Sequence, residues 1–124
     1  MSDRFLLFVY GQLMRGEIGY KRLDLERRTE WLGDVRIRGT LYDFGDYPGL
    51  VAGGRGTVHG ELLAFDDPAL WTALDEYEDC DPGNPDLSEY QREQVELVDG
   101  GRAWTYVYAR PVENHPVIAT GSWS

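Results

Sequence analysis

The stretch RFLLFVYGQL places an unbroken apolar run, Phe5 to Tyr10, directly before Gly11. A short run rich in aromatic and branched side chains that ends at a glycine predicts a buried central strand followed by a tight turn. Residues 17–28 are highly charged, with Ile18, Leu23 and Leu25 scattered among them, and predict a surface helix or loop. From Trp31 to Phe44 the positions Trp31, Gly33, Val35, Ile37, Gly39 and Leu41 alternate with polar ones. A period of two fits a strand better than a helix interrupted by two glycines. The segment GDYPGLVAGGRG then predicts turns, and Val58 to Phe65 a further strand. Asp67 followed by Pro68 marks a helix start, since aspartate can cap free amides and proline at the first helical position misses no donor. That helix is expected to reach about Glu78, because the prolines and glycine of CDPGNPDLSE cannot continue it. Tyr90 to Val98 and Arg102 to Arg110, joined by Asp99-Gly100-Gly101, form the clearest hairpin pattern in the chain. The tail RPVENHPVIATGSWS is irregular, with Trp123 available to tie it down.

No repeat, linker or shift in composition divides the chain, so residues 1–124 are expected to form a single domain around one core. No apolar run approaches the roughly 18 residues of a spanning helix, and no basic start precedes a cleavable hydrophobic segment, which predicts a cytoplasmic protein away from membranes. The lone Cys80 excludes an internal disulfide and a cysteine-based zinc cage. With 22 acidic against 12 basic residues the net charge is -10, which repels nucleic-acid backbones and anionic membrane surfaces. A small molecule or a protein is the expected partner.

Five acidic residues, Asp75, Glu76, Glu78, Asp79 and Asp81, crowd the end of the predicted helix. At about 100 degrees per residue, Leu70, Trp71, Leu74 and Tyr77 fall on one stripe about 120 degrees wide. Glu78 falls inside that stripe, Asp75 just outside it, and Glu76 faces solvent. An inward carboxylate at a helix C-terminus meets the negative end of the helix dipole and loses water, and both effects raise its pKa. Such a group is suited to take up a proton near neutral pH. The alternative is a Glu78 that bends out to water at a frayed helix end or pairs with an arginine.

Other chemistry fits less well. A calcium loop starting at Asp79 would have Asn84 where glycine is required and Tyr90 where glutamate is required, so no metal is expected. Cys80 with His59 or His115 lies in no nucleophile motif, and one small thiol is more often packing. YGQLMRG lacks the Lys-Ser or Lys-Thr ending of a phosphate loop, yet its amides could hold another anion such as a carboxylate.

Taken together, VYGQL after the first strand, LYDFGDYPGLV in the middle, LDEYE followed by YQRE, and the closing IATGSW resemble the gamma-glutamylcyclotransferase-like family, in matching order from Phe8 to about Trp123. The resemblance implies an α+β fold, a small mixed β-barrel with flanking helices. It assigns the main-chain groups of Tyr10, Gly11, Gln12 and Leu13 to the glutamyl part of the substrate, the catalytic glutamate to Glu78, and a pocket-lining position to Tyr90, two before Arg92. Two departures adjoin these matches: Gln12 stands where serine or threonine is usual, and Asp79 where glycine usually follows the glutamate.

The implied activity uses no cofactor. The α-amine of a gamma-glutamyl group attacks its own γ-carbonyl, forms 5-oxoproline and expels an amine, with Glu78 carrying the proton. Asp79, if close, would raise Glu78 further by like-charge repulsion. Gln12 would narrow the pocket or add an amide contact. The different-class alternative is a binding module that kept the fold without turnover.

Overall fold

The computed structural model describes residues 4–123. Its strands are β1 (Phe5–Val9), β2 (Glu30–Asp43), β3 (Pro48–Phe65), β4 (Tyr90–Glu96) and β5 (Arg102–Tyr108). Short helices α1 (Ile18–Arg22) and α2 (Leu25–Arg28) follow β1, and α3 (Ala69–Tyr77) follows β3. The sheet order is β2-β3-β1-β5-β4. Only β1 and β5 run parallel; the other neighbours are antiparallel.

The apolar run of β1 is explained by its place in the middle of this sheet. Leu7 and Val9 enter a core shared with Leu70 and Leu74 of α3, while Phe8 and Tyr10 enter a second core with Ile37, Leu41 and Leu50. A strand covered on both faces needs apolar residues at consecutive positions. The β4–β5 hairpin pairs Tyr90 with Tyr108 through Glu96 with Arg102, and its turn uses left-handed Gly100 and Gly101.

The barrel implied by the resemblance is corrected. The sheet is open, with β2 and β4 as its edges. They touch through one isolated bridge, Ile37 to Leu97, and a hydrogen bond from the Val98 amide to the Arg36 carbonyl. Leu97 lies at the hairpin turn, bonded to Gly101 and Gly100, and no residue of β4 itself pairs with β2, so the two edges meet only beside that turn and no closing ladder forms.

Two local expectations also change. GDYPGLVAGGRG is mostly strand: β3 begins at Pro48, which a first strand position tolerates, and only the register shift between Arg38 and Gly39 leaves a glycine-rich excursion before Thr57. Residues 17–28 form two short helices, because the chain turns through left-handed Asp24 (φ 53°). The tail runs along β2 at Leu41 to Asp43, and Trp123 packs against the core beneath α3.

Candidate active site

Helix α3 presents one carboxylate to the interior. The Asp67 side chain accepts the Ala69 amide at 2.9 Å and so starts the helix. Leu70 and Leu74 are buried, Trp71 and Tyr77 partly so, and Glu76 is exposed, which is the predicted phase. At the far end the Cys80 amide bonds to the Asp75 carbonyl at 2.9 Å and the Asp79 amide to the Glu76 carbonyl at 3.3 Å. This paired closure requires a left-handed residue at position 79, and Asp79 adopts it with φ 51°. Aspartate tolerates that conformation better than most residues, so it can occupy a place where glycine is usual.

The closure separates two adjacent charges. Asp79 is exposed and lies 3.9 Å from Arg110, whereas Glu78 turns into a cavity of about 280 Å³. Its carboxyl makes no hydrogen bond or ion pair among the described residues. Solvent reaches part of Glu78 through the cavity mouth, but protein surrounds the carboxyl on nearly every side, and that enclosure governs its proton affinity. Burial, followed by the negative charge of Glu89, pushes its pKa up to about 8. The expected repulsion from Asp79 is therefore replaced by that from Glu89.

Another part of the wall is the chain leaving β1. Gly11, Gln12 and Leu13 line the cavity, and their amides donate to no protein acceptor among the described residues. The bend is held by its carbonyls instead: Gly11 accepts from Met14 at 3.0 Å, and Gln12 from Gly19 at 2.8 Å and Tyr20 at 3.1 Å. Several unpaired amides in one turn make a place for an anion. Glycine at position 11 answers to a close approach: a Cβ there would meet the Pro48 ring at 2.7 Å. Gln12 directs its side chain to protein, accepting from the Tyr77 hydroxyl at 2.7 Å and donating to the Asp46 carbonyl at 2.8 Å. It ties the turn to α3 and to the β2–β3 connection.

Tyrosines complete the walls. Tyr10 is buried, and its hydroxyl donates to the Tyr106 carbonyl at 2.6 Å; burial holds its pKa well above the ordinary value. The Tyr90 hydroxyl donates to the Pro48 carbonyl at 2.7 Å, on the same proline that crowds Gly11, and burial raises it strongly as well. Arg92 points elsewhere. It lies over the Trp71 ring at 4.3 Å and beside Asp75 at 3.4 Å.

Glu89, Tyr47, Arg22 and Tyr106 also line the cavity and were not singled out from sequence. The Tyr47 hydroxyl donates to Glu89 Oε2 at 2.7 Å, and that bond, with burial, pushes Tyr47 up to about 12. Glu89 directly precedes Tyr90, which is the available signal, but it closes a polar proline-rich loop where acids read as solvated charge. Its backbone is fixed in the structure by bonds to the Asp79 carbonyl at 2.9 Å and from the Ala109 amide at 2.8 Å. Among the described residues no three metal-ligating side chains cluster, and no helix is long and apolar enough to cross a membrane.

This geometry accompanies a clear kinship. The family described as "Gamma-glutamyl cyclotransferase, AIG2-like" matches residues 7–124. A Vibrio cholerae protein whose name provisionally assigns it as a gamma-glutamylcyclotransferase is 37% identical over 120 residues, 95% of this chain and 94% of that one. The gamma-glutamylcyclotransferase family protein YtfP of Escherichia coli K12 is 35% identical over 118 residues, covering 94% of each. The solution structure of E. coli ytfP superposes with a TM-score of 0.68 over 96% of each chain at 35% identity. The crystal structure of a mouse aig2-like protein shares the fold, with a TM-score of 0.76 over 98% of this chain and 88% of that one at 24% identity.

Proposed function

Since the chain belongs to the gamma-glutamyl cyclotransferase, AIG2-like family, we propose that it converts a gamma-glutamyl amide into 5-oxoproline and a free amine, with Glu78 as the proton carrier. The observation that carries this reading is the unpartnered Glu78 carboxyl enclosed in a cavity that is also lined by the free amides of Gly11 to Leu13.

The chemistry follows from these two groups. The substrate α-carboxylate sits on the amides of residues 11–13, and Tyr90 with Pro48 bounds the glutamyl chain. The α-ammonium group then lies near Glu78. Its positive charge favours the ionised form of a carboxyl that burial otherwise keeps protonated. Glu78 takes one ammonium proton, and the freed nitrogen lone pair attacks the γ-carbonyl carbon. The new C–N bond closes a five-membered ring, and the carbonyl electrons move to oxygen. Glu78 returns that proton to the leaving nitrogen as the oxyanion re-forms the carbonyl and the original amide C–N bond breaks; the second proton shed by the ring nitrogen passes by way of Glu78 to the released amine, which departs as an ammonium ion. Electrons and protons balance without a co-reactant, and the main contribution of the protein is to hold nitrogen and carbon in reacting geometry.

Incubation with a panel of gamma-glutamyl amides, followed by mass spectrometry for 5-oxoproline, tests the reading. Wild type should release 5-oxoproline and one equivalent of amine from at least one member, and Glu78→Gln should release it at least about a hundredfold more slowly. Binding without product across the panel would identify a binding module instead.

A further inference from the structure

The cavity holds a second acid that the reaction above does not use. Glu89 is half-buried at the cavity wall, and its Oε2 accepts the Tyr47 hydroxyl at 2.7 Å. No lysine, arginine or histidine pairs with it among the described residues, and Oε1 has no protein partner. Its negative charge acts on Glu78, Tyr47 and Tyr90. On a protein surface an unpaired carboxylate is ordinary. Here it joins the enclosed and unpartnered Glu78, so among the described residues two carboxylates share a cavity whose lining also offers the free amides of residues 11–13 and one cation, Arg22, which pairs with neither acid. A pocket that holds both free amide donors and two acids without a cationic partner is complementary to a zwitterion, whose carboxylate and ammonium lie a few atoms apart.

We propose that Glu89, oriented by Tyr47, is the residue that binds the α-ammonium group of the substrate and presents it to Glu78. This deepens the functional reading above and rests on it. The division of labour has a chemical reason. Glu78 becomes neutral when it takes the proton, so it cannot also be the lasting counter-charge. A second carboxylate that remains hydrogen-bonded to Tyr47 holds the amino group in place through both proton transfers. The Tyr47 bond also leaves one oxygen of Glu89 free and directs the group, which limits the rotamer freedom lost on binding. The residue thus selects for substrates with an unmodified α-amine.

The test compares two ligands by calorimetry: L-glutamine, and glutaramate, which is glutamine without the α-ammonium group. Wild type should favour glutamine by at least roughly tenfold, the scale of one charge-assisted hydrogen bond in a partly enclosed site. Glu89→Gln should bring the two affinities together. The glutamine amide oxygen can still accept from Tyr47, so the fold is expected to persist, and circular dichroism checks it. Tyr47→Phe keeps the charge but frees it, and should reduce the preference without removing it. A preference that survives intact in Glu89→Gln and disappears in Glu78→Gln would overturn the proposal and give the ammonium to Glu78. Turnover of a gamma-glutamyl amide with no preference for glutamine in wild type would overturn this inference alone. Failure to bind either ligand, with no 5-oxoproline from the substrate panel, would remove the functional reading and the inference together.

Discussion

Asp75 and Glu78 lie one helical turn apart in the same short segment and meet opposite surroundings. Asp75 accepts the Tyr106 hydroxyl at 2.7 Å and lies 3.4 Å from Arg92, whose guanidinium rests on the Trp71 ring. Glu78 has no such partner, and its like-charged neighbour Glu89 shares its cavity. The first carboxylate fastens α3 to the β4–β5 hairpin. The second is left at the end of that fastened helix, in a position where holding a negative charge is costly. Structure around a carboxylate is thus separable from reactivity in it: a paired acid stabilises, and an unpaired buried one is poised to exchange a proton.

Substitutions can break this contrast. The largest effect is expected on catalysis, where Glu78→Gln should lower kcat/KM by about 10²- to 10⁴-fold, the usual contribution of a positioned acid–base group. In wild type, kcat/KM should fall as pH drops below about 8, where Glu78 of the free enzyme becomes protonated. Steady-state rates across pH check both statements, and a flat profile would mean that Glu78 does not carry the proton.

The next effect runs the other way, on stability. The folded protein holds the Glu78 proton up to about pH 8, the unfolded chain only to about its ordinary 4.5. The group therefore favours folding fully below 4.5, loses that advantage as pH rises between the two values, and has lost it above about 8. Glu78→Gln should match wild type in acid and be more stable at pH 7, by on the order of 3 kcal/mol. Thermal and urea unfolding from pH 4 to 8.5 would reveal the widening gap, and a variant less stable than wild type at neutral pH would mean that the carboxylate is held by partners.

Asp75→Asn should do the reverse and destabilise by about 1 to 2 kcal/mol at pH 7, because Arg92 loses its counter-charge and the Tyr106 hydroxyl loses a charged acceptor. Its kcat should fall much less than that of Glu78→Gln; equal losses would show that pairing does not separate the two acids. The smallest effect belongs to Glu76→Gln, on the exposed face of the same helix, which should leave activity unchanged and stability within about 0.5 kcal/mol.

Much of this contrast was legible along the chain. The 3.6-residue period set Glu78 beside Leu74 and Trp71, and Glu76 toward water, before any tertiary contact entered. The partner of each acid was not legible. Glu89 is eleven positions after Glu78, across a proline-rich loop, and only the bonds of its backbone to Asp79 and Ala109 bring it to the cavity. Pro48 and its glycines resembled turn residues because local propensity ignores pairing; opposite Asp43 and Tyr42, with the Phe44 ring beside Gly49, they are strand. Gly11 suggested a tight turn, and its carbonyl does close one with the Met14 amide; that the ring of Pro48 fills the space it leaves was not legible.

What the sequence determined by itself was therefore whatever depends on spacing over a few residues. That includes the central apolar strand, the start of α3 at Asp67 and Pro68, the glycine hairpin and the inward phase of Glu78, since backbone geometry and side-chain direction repeat with a fixed local period. The tertiary structure alone decided the quantities that depend on distance through space. Whether two sheet edges meet in one bridge or a full ladder, which acid raises Glu78, and which arginine neutralises Asp75 are set by residues far apart in the chain. Coulomb interaction and desolvation respond to separation and enclosure, and neither is a function of sequence position.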